Sequence, residues 1–116
     1  IARTDPEGAA DEDRPVWEPF LELTEKGELI CFYSDERYLE REKWNQMLAH
    51  KVSPDGGKTW GEELTVSEES PDWDLGYPSS IELDDGSILT VYYQKETQDG
   101  PCVIMQSIWQ LPEAYR

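Results

Sequence analysis

The apolar residues of this chain fall in short strand-like runs separated by polar, turn-forming stretches. Val16-Trp17-Glu18-Pro19-Phe20 leads into Leu21-Glu22-Leu23-Thr24, whose alternation predicts a half-buried strand. Glu25-Lys26-Gly27-Glu28 reads as a polar turn with glycine at the hairpin position. Leu29 to Ser34 is apolar enough to be a central strand. Asp35 to Lys43 is highly charged and reads as a loop or a turn of helix. Trp44 to Ser53 predicts a third strand around Met47–Val52, and Glu62 to Val66 a short outer fourth one. The pattern then starts again. Tyr77 to Leu83, the Asp84-Asp85-Gly86 turn, Ile88 to Tyr93 and Cys102 to Trp109 predict three more strands, and Leu111-Pro112-Glu113 ends the last.

The two halves share landmarks at one spacing. Pro19 and Pro78, Gly27 and Gly86, and Tyr33 and Tyr92 each stand 59 residues apart, although Ile81 and Leu83 fall one step out of phase with Leu21 and Leu23. A fixed offset of this length is the mark of a structural repeat.

Between the third and fourth strands lies Ser53-Pro54-Asp55-Gly56-Gly57-Lys58-Thr59-Trp60. Ser53 and Asp55 carry side-chain oxygens that accept hydrogen bonds from nearby backbone N–H groups. Gly56 and Gly57 permit positive φ where the chain reverses. Thr59 and Trp60 restart an extended strand, and the indole is large enough to plug a gap between sheets. These residues are expected to be architectural, because turn chemistry accounts for all of them.

Four antiparallel strands in about fifty residues make one blade of a β-propeller. The expected architecture is therefore all-β: one complete blade over residues 17–67 and an incomplete one over 77–116. An acidic tail or clasp strand, with no periodic pattern, is expected over residues 1–16. Closed rings need about 4 to 8 blades, and two alone would leave apolar faces and open strand edges. The ring is expected to be completed by sequence outside this chain or by self-association. Three copies would give six blades. The outer strand missing from the second blade would come from residues 1–16 or from a neighbouring chain. The chain opens on Ile1 rather than Met, as expected of a processed or excised segment.

Composition narrows the function classes. Net charge is −16, from 26 acidic and 10 basic residues, which argues against nucleic acid and anionic membranes as partners. No apolar run approaches the ~18 residues of a membrane span, and the amino end does not read as a signal peptide. Cys31 and Cys102 lie in apolar runs and are expected to be buried free thiols, which leaves the compartment open. Neither a glycine-rich phosphate loop nor a cysteine/histidine cluster is present, so no cofactor or metal is expected, and His50 is expected to pack.

The Ser53–Trp60 stretch fits Ser/Thr-x-Asp-x-Gly-x-Thr-Trp and resembles the Asp-box, or BNR repeat, of the sialidase superfamily, with Ser53, Asp55, Gly57, Thr59 and Trp60 at its defining positions. Trp17-Glu18-Pro19-Phe20 and Phe32-Tyr33-Ser34-Asp35-Glu36 resemble exo-arabinanase-like enzymes. Gly76 to Tyr93 and the Trp109-Gln110-Leu111-Pro112-Glu113 ending resemble a final blade. The resemblance implies a six-bladed propeller and an exo-acting glycoside hydrolase-like, carbohydrate-associated function.

Carried over by position, Tyr77 resembles the nucleophilic tyrosine of sialidases, with Pro78 where serine usually follows. Glu18 resembles a catalytic or ligand-binding acid of the arabinanase-like group. Asp35, Glu36 and Arg37 follow the second strand and are expected to line the same face. The arginine triad that grips a carboxylate in sialidases is not evident, with Arg14, Arg37 and Arg41 the only candidates. The resemblance therefore implies a module without a full catalytic set in one chain. The alternative function is a non-catalytic scaffold that closes a ring as a homotrimer.

Overall fold

The structure is a computed structural model and describes residues 16–35, 47–67, 70–71 and 74–115, without the side chains of residues 17 and 18. The expected tail over 1–15 and the charged segment 36–46, with Trp44, lie outside the described residues, as does Trp73.

Seven strands form two antiparallel sheets. The first is β1 (Val16–Leu23), β2 (Leu29–Asp35), β3 (Met47–Ser53) and β4 (Leu64–Ser67), paired in that order. The second is β5 (Gly76–Glu82), β6 (Ile88–Lys95) and β7 (Cys102–Trp109), followed by a 3-10 turn at Glu113–Tyr115. Each sheet is a meander of hairpin-joined strands, the blade form that the alternating pattern predicts.

The 59-residue repeat is visible in hydrogen bonds. Thr24 donates its N–H to Glu28 O and Gly27 to Thr24 O, both at 2.9 Å. Leu83 donates to Ser87 O at 2.8 Å and Gly86 to Leu83 O at 2.9 Å, the same bonds one repeat later. Gly27 and Gly86 sit at φ 94° and 85°, in the left-handed region that glycine enters without steric cost. Register shifts between Trp17 and Phe20 and between Gly76 and Ser79 place equivalent bulges around Pro19 and Pro78. A proline has no N–H to give the ladder, so a bulge is where an innermost strand tolerates it.

The sheets pack face to face, their innermost strands β1 and β5 against each other. In the first blade the junction face carries Phe20, Ile30, Phe32, Leu48, His50 and Val52, in cross-strand rows set by Phe20↔Phe32↔His50 and Ile30↔Val52. Ile30, Phe32 and Val52 meet Ile88 and Leu111 in the main core, with Trp109 and Tyr115 packed against it. A second cluster joins Leu48 to Leu75 and Tyr92. The chain after β7 thus folds back on the first blade, and Tyr115 closes over Gly61, where a Cβ would strike its phenol.

Burial corrects two expectations. Leu21 and Leu23 alternate as predicted but are 56% and 65% exposed, while Glu22 between them is half-buried. Their face is the one opposite the junction. Cys102 is exposed rather than buried, because the first residue of β7 points to the open face of the second blade; its thiol donates to Asp74 Oδ2 at 3.1 Å. Cys31 is half-buried, and neither cysteine is in a disulfide. Burial raises the Cys31 pKa.

Candidate functional site

The hairpin turns of the two blades share one end, where Glu25 N–H donates to Glu82 Oε2 at 2.6 Å. The strand starts of β1 and β5 therefore share the opposite end, and of the sequence candidates the backbone of Glu18, Asp35 and Tyr77 lies there. Val16 pairs with Asp35 and Trp17 with Ser34, so Glu18 and Asp35 belong to one corner of the first blade. Asp35 is buried at the end of β2. The Glu18 side chain, Glu36 and Arg37 lie outside the described residues, as do Arg14 and Arg41.

Tyr77 occupies the equivalent corner of the second blade. It is 71% exposed, and its backbone sits at φ 48°, beside Gly76 at φ 155°. The left-handed region is uncommon for any side chain and costs a bulky one of order 1–3 kcal/mol, so surrounding structure must hold it there. Pro78, which is buried, and the bulge before Ser79 supply that constraint. The outcome is a phenol lifted off the sheet and stacked on Tyr93, with ring centroids 5.7 Å apart and planes 29° from parallel. Tyr93 was not legible as a candidate from sequence; its signal is an aromatic at the end of the strand that pairs with Gly76.

Buried hydrogen bonds join the two blades at this end, on the junction side of the sheets. Ser34 Oγ donates to Leu75 O at 3.5 Å, and Ser67 Oγ to Gln94 Oε1 at 2.9 Å. Tyr33 donates its hydroxyl to Glu63 Oε2 at 2.6 Å on the far face of the first blade. The stacked Tyr77 and Tyr93 rings are an aromatic surface of the kind on which a ring-shaped ligand can stack. No group of three or more potential metal ligands occurs among the described residues.

The Ser53–Trp60 turn lies at the other end of β3 from this corner. Ser53 is fully buried and accepts the Gly57 N–H at 2.8 Å, while its own hydroxyl donates to Asp55 Oδ1 at 2.9 Å. Asp55 accepts the Thr59 N–H at 2.8 Å and the Thr59 hydroxyl at 2.6 Å. These two bonds to Thr59 lower the Asp55 pKa to about 2, because they favour the ionised carboxylate. Trp60 is half-buried against Gly57, and its indole N–H has no hydrogen-bond partner. The side-chain oxygens of Ser53, Asp55 and Thr59 all bond within the turn itself.

His50 is a buried polar residue packed among the aromatic side chains of the core. It is 3% exposed, lies between Phe32 and Trp109 with ring centroids 5.6 and 4.4 Å away, and neither ring nitrogen has a partner. Burial lowers its pKa to about 4. It borders a cleft of about 270 Å³ between β4 and β7, shared with Thr65, Val66, Ser107 and Pro112. A neutral, packed imidazole fits the sequence expectation.

No family model and no curated protein matches the chain. Solved structures do. The GH93 alpha-L-arabinofuranosidase of Fusarium graminearum in complex with arabinobiose aligns over 88% of this chain at 24% identity and a TM-score of 0.63. The same organism's alpha-L-arabinofuranosidase in complex with an iminosugar inhibitor aligns over 88% at 24% identity and 0.65. The endo-arabinase of Bacteroides thetaiotaomicron aligns over 85% at 19% and 0.55. This chain spans 29%, 29% and 32% of those proteins, respectively. At such identities the likeness shows the fold: two antiparallel blades, corresponding to part of a propeller glycosidase-like architecture.

Proposed function

We propose that this chain is a carbohydrate-associated module of a propeller glycoside hydrolase, of the sialidase-like BNR-repeat type, with its ligand end at the strand starts. The observation that carries this reading is the exposed Tyr77–Tyr93 stack, held by left-handed backbone at Tyr77. Tyr77 stacks on Tyr93 and is 71% exposed, so its ring offers surface on which a sugar ring can stack. Glu18 stands at the neighbouring corner, Asp35 is buried beneath it at the end of β2, and Glu36 with Arg37 follow in sequence. In this reading Tyr77 and Glu18 are the catalytic or ligand-contacting pair, Glu36 and Arg37 line the ligand, and the buried Asp35 supports them from behind. Ser53, Asp55, Gly57, Thr59 and Trp60 form an Asp-box that holds the blade together and touches no ligand.

A tyrosine nucleophile needs a carboxylate base beside it and an acid to protonate the leaving oxygen, and in this reading two blades hold only part of such a set, so the activity tested on the isolated chain is binding. The likeness to arabinan-processing enzymes selects arabinobiose, the ligand of one of those structures, as the probe. Titration calorimetry is expected to show saturable binding that Tyr77→Ala weakens about tenfold, the equivalent of about 1.4 kcal/mol. Release of free arabinose is expected to stay at the uncatalysed rate. Absence of binding, or binding unchanged in a folded Tyr77→Ala variant, would refute the proposal.

A further inference from the structure

The last strands of the two blades are not built alike. Among the described residues β4 pairs with β3 alone, and β7 with β6 alone. β4 has the features that keep an edge strand from recruiting a partner. It is four residues long, its register with β3 shifts between Leu48 and Ala49, and Glu62, Glu63, Glu68 and Glu69 flank it in sequence. β7 has none of these. It is eight residues long, pairs with β6 in unbroken register from Cys102 to Trp109, and contains no charged residue and no proline. A long, regular, uncharged strand of this kind is suited to a neighbour on each side.

The repeat says where that neighbour belongs. Tyr33 and Tyr92 stand 59 residues apart, and the rows Tyr33↔Ala49 and Tyr92↔Met105 equate Ala49 with Met105. Phe32 and Val91 equate His50 with Gln106 in the same way. In the first blade these two positions are covered by β4, through Ala49↔Thr65 and His50↔Leu64. β3, with a neighbour on each side, is buried everywhere except at Lys51, whereas β7 is buried at no position. The chain that follows β7 does not take the free place, because Leu111 and Tyr115 pack on the core shared with the first blade.

Beside the same edge lies the cleft between β4 and β7, of about 270 Å³, with His50, Leu64, Val66, Ser107, Trp109 and Pro112 among its walls. Both ring nitrogens of His50 are buried without a partner among the described residues. Side chains directly opposite each other in a ladder share a face of the sheet. Those opposite Met105 and Ser107 would therefore project with them toward the first blade, where Met105 packs on the Leu48–Leu75–Tyr92 cluster and Ser107 lines the cleft.

We propose that an extended segment of the same protein, from outside this chain, adds antiparallel to the free edge of β7 as the fourth strand of the second blade and fills the cleft beside His50. The socket sets its chemistry: a run without proline, apolar or hydroxyl-bearing on the face turned toward Leu64 and Val66. Residues 1–15 do not fit that description, since Ile1 is their only large apolar residue and Pro6, Gly8 and Pro15 interrupt them. The arabinan-processing structures that this chain resembles are matched over 29–32% of their length, which leaves polypeptide to supply a strand. The added strand lies in the plane of the sheet beyond β7 and leaves the Tyr77–Tyr93 stack of β5 and β6 uncovered. The inference is thus independent of the carbohydrate reading.

The test supplies a strand. The probe is a copy of residues 61–67, the first blade's own fourth strand, joined after Arg116 by a glycine-serine linker of about 12 residues, which reaches about 20 Å and holds the probe at millimolar effective concentration. The control carries the same addition with Leu64→Pro and Val66→Pro in that copy only, which cannot extend a ladder. Amide hydrogen exchange, the His50 ring-proton signals and sedimentation velocity are recorded for the 116-residue chain, the extended chain and the control. Exchange at amides between Val103 and Ile108 is expected to slow about tenfold in the extended chain alone, with a shifted His50 signal and a monomeric mass. Equal exchange in the extended chain and the control would overturn the proposal. So would equally slow exchange in the unextended 116-residue chain, which would mean that this chain covers its own edge. Slowing that appears only with a dimeric mass would overturn it as well, since a second copy would then be the partner.

Discussion

Acid should destabilise this protein through His50, and the effect can be isolated. His50 is 3% exposed with two unpartnered nitrogens, and burial lowers its pKa from 6.5 to about 4. Because the folded pKa lies below the unfolded one, the unfolded chain binds the proton first. The neutral-imidazole contribution is therefore whole above pH 6.5 and is lost as pH falls through the window down to about 4. At about 1.36 kcal/mol per unit, the full loss is about 3 kcal/mol. That is a large share of a small domain's stability. Carboxylates of this strongly acidic chain titrate in part of the same window, so the comparison is with His50→Phe, which shares every one of them. Phenylalanine keeps an aromatic ring between Phe32 and Trp109 and removes the two orphaned nitrogens. Urea unfolding followed by tryptophan fluorescence at pH 7, 6, 5 and 4 gives both curves. The wild-type curve should fall relative to the variant's by about 2–3 kcal/mol across that range, with unchanged m-values. Since His50 is the only histidine, its ring-proton NMR signal should titrate alone, near pH 4. Parallel curves would refute the reasoning and would mean that water in the β4–β7 cleft solvates the ring.

Other outcomes follow from the turns and the core. Trp60→Ala should lower stability, by less than the roughly 3–5 kcal/mol of a fully buried aromatic because Trp60 is half-buried, and Asp55→Ala should lower it too; chemical denaturation reads both. The hydrogen-bonded Asp55 contribution should be whole above pH 3.8 and fade as pH falls through about 2, its lowered folded pKa, so the wild-type and Asp55→Ala stabilities should converge only in strong acid. Gly27→Ala and Gly86→Ala meet open space but positive φ, so each should cost about 1–2 kcal/mol, and the two costs should match if the repeat is real. Thr90 accepts the Trp109 indole N–H at 3.0 Å and shares a 2.8 Å hydrogen bond with Ser80; Thr90→Val should cost about 1–3 kcal/mol, with Thr90→Ser restoring most of it.

The strands were legible because side-chain alternation, turn residues and the 59-residue spacing all reported on the same blade. β7 runs from Cys102 to Trp109, as the apolar run predicts, and the Gly27 and Gly86 turns carry identical bonds. What sequence did not show is which face of each blade is covered. Alternation gives two faces, and only the packing of β1 on β5 decides that Phe20 and Glu22 turn inward while Leu21 and Leu23 turn out. The one-step phase difference of Ile81 shows the same ambiguity: Ile81 stands where Glu22 does in the first blade, yet is 54% exposed on the face away from the junction. Of the candidate site, the shared corner was legible from strand starts and ends. The Tyr93 partner and the left-handed backbone of Tyr77 were not, because a bulge around Pro78 sets both and no side-chain pattern encodes its geometry.

Saturation-transfer NMR with a panel of neutral mono- and disaccharides, on the wild-type chain, folded Tyr77→Ala and folded Asp55→Ala, tests the central claim most directly. The account predicts transfer to at least one sugar in the wild type, its loss in Tyr77→Ala, and its retention per folded molecule in Asp55→Ala. Transfer that survives Tyr77→Ala, or that disappears with Asp55 while the fold remains, would contradict it.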